Sequence, residues 1–113
     1  MIRNLLARWR ARPKGPDLTD VEWPGDWQVP TNRQAAEFRR ELLRELPRGH
    51  RLSGLPLSVL AHRPGADDLL LAVDHPDFPL AEVHLTWSRE SDPAWPACRT
   101  FVDFDAWRAE QEA

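Results

Sequence analysis

Leu80-Ala81-Glu82-Val83-His84-Leu85-Thr86-Trp87-Ser88 is the stretch on which the fold reading turns. Apolar and polar residues alternate along it, and a strand sends successive side chains to opposite faces. Ala81, Val83, Leu85 and Trp87 therefore predict a core-facing row, and Glu82, His84, Thr86 and Ser88 a polar row behind it. Hydrogen-bonding and titratable groups lined up on an open sheet face are the first place to look for function.

Outward from that strand the pattern repeats. Leu57 to Arg63 reads as a strand, Pro64-Gly65-Ala66-Asp67-Asp68 as a turn, and Leu69 to Asp74 as the antiparallel partner, with a break at residues 75–79 before Leu80. Sequential strands with short connections form a meander. Upstream, Thr31 and Gln34 have the spacing of a capping box that opens a helix running to about Leu46, where Pro47 and Gly49 stop it. Ala35, Phe38, Leu42 and Leu46 make its apolar face, and Glu37, Arg40, Glu41, Arg44 and Glu45 its expected exterior. Val59, Leu71 or Leu70, Val73, Val83 and Leu85 are expected to face Phe38. Downstream, residues 89–100 form a loop, Thr100 to Val102 a short strand, and Asp103 caps a last helix to about Glu110, with Val102 and Trp107 at hydrophobic-staple positions. The fold class that follows is α+β: a three- to four-stranded antiparallel meander with one long helix before it and a short helix after it.

The chain of 113 residues is the size of one domain, and six Trp with four Phe supply much of its core volume. Fourteen Arg to a single Lys, with eleven Pro, fits a GC-rich bacterial genome. One cysteine, Cys98, excludes an internal disulfide and suits a reducing, cytoplasmic setting. No apolar run approaches the roughly 20 residues that cross a bilayer.

Charge is unevenly placed. Residues 1–15 hold five basic groups and no acid, leaving ten basic against eighteen acidic groups in residues 16–113, a net of −8. Ile2, Leu5, Leu6 and Trp9 between Arg3, Arg8, Arg10 and Arg12 read as an amphipathic basic helix over residues 1–15, ahead of a single α+β domain over 16–113. Docking on its own domain, self-association with a sister subunit, and weak membrane-surface contact by residues 1–12 are the readings open to it. Nucleic acid is not expected, because the acidic body repels it. Trp23-Pro24-Gly25-Asp26-Trp27 puts two indoles around a tight turn, read as plugs packed over the sheet or a helix.

Few residues suggest chemistry. His84 and Thr86 form the His-x-Thr half of a two-histidine phosphoesterase signature, but none of His50, His62 and His75 is followed two residues later by Ser or Thr. Asp74, His75 and Asp77 cluster around Pro76 without the spacing of a metal motif, and turn formation explains them. Cys98 has no base placed beside it by the sequence, and the glycines at 49 and 54 lack phosphate-loop spacing. No catalytic residue, metal or cofactor is assigned.

Gly49-His50 with Leu52 and Gly54, then Asp67-Asp68 with Leu70, then Val83-His84-Leu85-Thr86-Trp87-Ser88 followed by Trp95-Pro96, together resemble a group of small bacterial single-domain proteins of unassigned function. The resemblance spans residues 34–108. It departs at Arg51, where proline is expected, and at Arg89-Glu90, where a small residue or lysine is. It implies the fold, and that His50 and His84 belong together. The candidate binding set is therefore Glu82, His84 and Thr86 with His50, His62 and Trp87. The function expected is a small cytoplasmic, non-enzymatic binding or regulatory module acting on a protein partner through an open sheet face or a sheet edge, an immunity or antitoxin-like inhibitor being the specific form. The alternative is a small-ligand-binding protein or hydrolase centred on His84.

Overall fold

The computed structural model describes residues 12–113; the basic helix expected over residues 1–15 lies outside the described residues except at 12–15, which are irregular. Helix α1 (Asn32–Glu45) precedes strands β1 (Leu57–Arg63), β2 (Asp68–Val73), β3 (Leu80–His84) and β4 (Cys98–Phe101), and helix α2 (Phe104–Glu112) follows. The four strands form one antiparallel sheet in the order β1-β2-β3-β4, so the α+β meander is as expected.

Local chemistry sets most boundaries. The Thr31 hydroxyl accepts from the Gln34 amide at 3.1 Å while Gln34 Oε1 accepts from the Thr31 amide at 2.9 Å, the reciprocal box that satisfies orphan donors at the start of α1. Asp103 accepts from the Ala106 amide at 2.8 Å and caps α2. Val102 is 69% exposed while Trp107 is fully buried, so no staple joins them; the Asp103 cap alone sets the helix start.

Both faces of the sheet are covered. Leu57, Leu69, Leu71, Val73, Ala81, Val83 and Leu85 pack under α1 with Leu42, Leu52 and part of Phe38. Behind them, Leu70, Leu80, Ala61 and Phe101 pack with Trp27 and Trp107, flanked by Trp23 and Phe104. The open polar face expected from β3 is therefore closed by α2 and the Trp23–Trp27 segment. The reason lies in β2, which is buried at every residue: its Leu69-Leu70-Leu71-Ala72-Val73 run is apolar on both faces and needs cover on both.

A register shift between Val59 and Ala61 inserts Leu60 as an extra residue in β1. Side chains beyond it change face. His62 is thereby turned toward α1, where its ring lies 5.0 Å from that of Phe38, instead of toward the face that carries Glu82 and His84.

Candidate functional site

The six expected site residues do not form one patch. Glu82 lies beneath α2, where Oε1 accepts from Trp107 Nε1 at 2.8 Å and from Gln111 Nε2 at 3.0 Å. His62 is buried on the opposite face, and burial lowers its pKa, favouring the neutral ring. It lines a cleft of about 220 Å³ with Phe38, Arg63 and Asp68.

His50 is buried in the turn after α1 and acts as a clamp. Its Nδ1 accepts from the Leu52 amide at 3.0 Å, which leaves Nε2 as the protonated nitrogen that donates to the Pro96 carbonyl at 2.7 Å. This single side chain ties the Gly49–Gly54 turn to the cis Trp95-Pro96 segment. His50→Ala leaves a buried amide and a carbonyl unpaired, and a loss of about 2–3 kcal/mol is expected in a urea titration. A loss under about 0.5 kcal/mol, the range of an ordinary surface substitution, would remove the clamp.

His84 ends β3 directly opposite Asp68. Its Nδ1 lies 2.8 Å from Asp68 Oδ1, and Asp68 Oδ2 accepts from Arg63 at 2.7 Å, so one carboxylate joins the ends of three strands. Asp68 is buried, whereas the His84 side chain is more than half exposed.

The strand expected to run to Ser88 stops at His84. Leu85 still packs under α1, but Thr86 and Trp87 leave the sheet because Glu45 captures their backbone. Glu45 Oε1 accepts from the Thr86 amide at 2.8 Å and the Thr86 hydroxyl at 3.1 Å, and Oε2 accepts from the Trp87 amide at 2.8 Å. Expected on the helix exterior, Glu45 is instead fully buried. Burial first, then a hydrogen bond shared with Glu41, raises its pKa, and the three donors from Thr86 and Trp87 oppose that rise.

Held by this latch, Trp87 has φ of 58° and remains 51% exposed. A bulky residue in the left-handed region is uncommon and costs on the order of 1–3 kcal/mol, and such strain concentrates at sites where it serves function. The indole borders a groove of about 260 Å³ lined by Glu37, Phe38, Arg40, Glu41 and Arg44 of α1. The strain is separable from the side chain: Trp87→Gly is expected to be more stable than Trp87→Ala by about 1 kcal/mol, since only alanine keeps the Cβ that a positive φ penalises. Equal denaturation midpoints for the two variants would refute strain at this residue.

Of the expected set, then, Thr86 and Trp87 meet at one latch, and His84, Glu82, His50 and His62 each serve other contacts. Glu45, Asp68 and the α1 outer face are the participants the sequence did not reveal. Asp67-Asp68 stood out as a turn, but nothing marked which aspartate would pair with His84. No family model, curated protein or solved structure matches the chain.

Proposed function

We propose that this protein is a non-enzymatic, cytoplasmic protein-binding module whose anchor is Trp87. The observation that carries the reading is the strained, half-exposed indole held over the α1 groove by a buried carboxylate. Large aromatic residues at the centre of an interface supply most of its binding energy, and a pre-organised one loses little freedom on docking. An immunity or antitoxin-like inhibitor is the specific form we favour, because the net charge of −8 over residues 16–113 suits a basic partner.

The test is affinity capture from host lysate with wild type, Trp87→Ala and His84→Ala, after all three are shown to fold. A stoichiometric protein retained by wild type and His84→Ala but lost by Trp87→Ala is the expected result. Retention of that protein by Trp87→Ala would end this reading.

One observation favours a second reading, a ligand-binding or hydrolytic site at His84: the Asp68 carboxylate orients an imidazole that is open to solvent. A metabolite that raises the melting temperature of wild type but not of His84→Ala would select it over the first.

A further inference from the structure

The cleft beside His62 is bordered by a buried polar side chain that has nothing to pair with. His62 is 7% exposed and its ring packs on Phe38, yet among the described residues neither ring nitrogen has a hydrogen-bond partner. Buried polar groups are ordinarily paired, and an exception calls for a physical reason. The position of His62 is fixed twice over, by the extra residue Leu60 that sets its face and by both backbone hydrogen bonds exchanged with Gln28 at 2.9 Å. The cleft of about 220 Å³ is the space onto which this held ring opens.

The rest of the lining selects the occupant. Phe38 and Leu69 supply apolar surface, and the volume exceeds the roughly 150 Å³ that accepts a benzene ring, so one ring with one or two further atoms fits. Three charged side chains border the cleft: Arg63, Asp67 and Asp68. Arg63 and Asp68 neutralise each other at 2.7 Å, with the guanidinium 5.9 Å from the Trp27 ring, and Asp68 also meets His84 at 2.8 Å. The charged neighbours of Phe38 on α1 line the separate groove under Trp87. Asp67 is left with an exposed carboxylate that has no ion-pair or hydrogen-bond partner among the described residues. Its backbone is held at φ of 58°, and its carbonyl accepts from the Leu85 amide at 2.9 Å, so the carboxylate stands on a fixed wall. The uncommitted charge at this cleft is therefore negative. Burial keeps the His62 ring neutral, which leaves one of its nitrogens able to accept a proton donor. We infer that this cleft binds a small organic ammonium ion, with a one-ring apolar body against Phe38 and Leu69 and its N–H groups shared between Asp67 and His62. The site is independent of both Trp87 and His84.

The test is an NMR titration of the full chain with benzylamine and cyclohexylmethylamine, alongside benzyl alcohol and benzoate as neutral and anionic counterparts. Saturable shifts at the His62 and Phe38 rings and the 65–69 backbone are expected for both amines, at an affinity on the order of 1 mM for molecules this small. The alcohol and benzoate should bind at least tenfold more weakly. Asp67→Asn removes the charge while keeping a residue that tolerates a positive φ, and His62→Phe keeps a ring while removing both nitrogens. Each should weaken the amines at least tenfold, whereas Trp87→Ala and His84→Ala should leave them bound. Should His62→Phe lose its fold, Asp67→Asn decides. No saturable shift with either amine, benzyl alcohol or benzoate bound as tightly as the amines, or equal affinity of wild type and Asp67→Asn would overturn the inference. Shifts centred on Trp87 would place the amine in the other groove and overturn it equally.

Discussion

Glu45→Ala is expected to lower the unfolding free energy by about 3 kcal/mol, a large effect for one polar side chain. The substitution leaves the amides of Thr86 and Trp87 without the acceptor that holds them at 2.8 Å, and opens space beneath a turn whose backbone has no strand partner. Release of the turn should also free Trp87 from its positive φ, so fluorescence and partner capture change together with stability. A measured loss below about 1 kcal/mol would mean that water replaces the carboxylate at little cost.

The same latch has a pH signature. Glu45 has its pKa raised above the ordinary 4.5. A carboxyl with a raised native pKa contributes stability that is present below 4.5 and is lost as pH climbs through its native value. Glu41 behaves oppositely: the hydrogen bond with Glu45, followed by Arg44, holds its pKa below 4.5, so its contribution is present above 4.5 and lost as pH falls through its native value. The Glu45 contribution should therefore fall as pH rises above 4.5, against the gain that the lowered pKa of buried His62 brings as pH rises toward 6.5. Glu45→Gln should remove that fall, so wild type should lose stability relative to Glu45→Gln in urea midpoints measured as pH rises above 4.5, and a difference between the two that does not change with pH would contradict the assignment.

Trp107→Ala should be the most damaging single change in the second core, at about 3–5 kcal/mol. The indole is fully buried, lies edge-on to Trp27 with ring centroids 5.0 Å apart and to Trp23 at 6.0 Å, and donates to Glu82 at 2.8 Å. Gln111 bridges the group, accepting from Trp27 Nε1 at 3.1 Å and donating to Glu82. Truncation therefore removes ring volume and one of the two donors on a covered carboxylate. Trp107→Phe separates these, keeping most of the volume and losing only the N–H, with an expected loss of about 1–2 kcal/mol. If both variants unfold at the wild-type midpoint, α2 is not what closes the sheet.

These residues also mark where sequence reasoning reached and where it stopped. The caps at Thr31 and Asp103 and the span of β1 were legible because each depends on residues within a few positions of one another. The indoles of Trp23 and Trp27, each edge-on to Trp107, were legible as packing for the same reason that large rings seek burial anywhere. The polar row on β3 was read as open, although the unbroken Leu69–Val73 run carried the contrary signal, since a strand apolar on both faces must be covered on both. His62 was grouped with Glu82 and His84 on shared polarity alone, and the inserted residue in β1, which local sequence does not mark, turns it to the other face.

Local periodicity, capping and turn chemistry determined the order and type of the elements, because hydrogen bonding within a turn and alternation along a strand are written in adjacent residues. Tertiary structure alone decided the rest. Glu45 finds the Thr86 and Trp87 amides more than forty positions away in the chain, His50 finds Pro96, and Glu82 finds Trp107. Whether a charged side chain meets water or a distant backbone amide depends on how the layers close, and one-dimensional spacing does not carry that geometry.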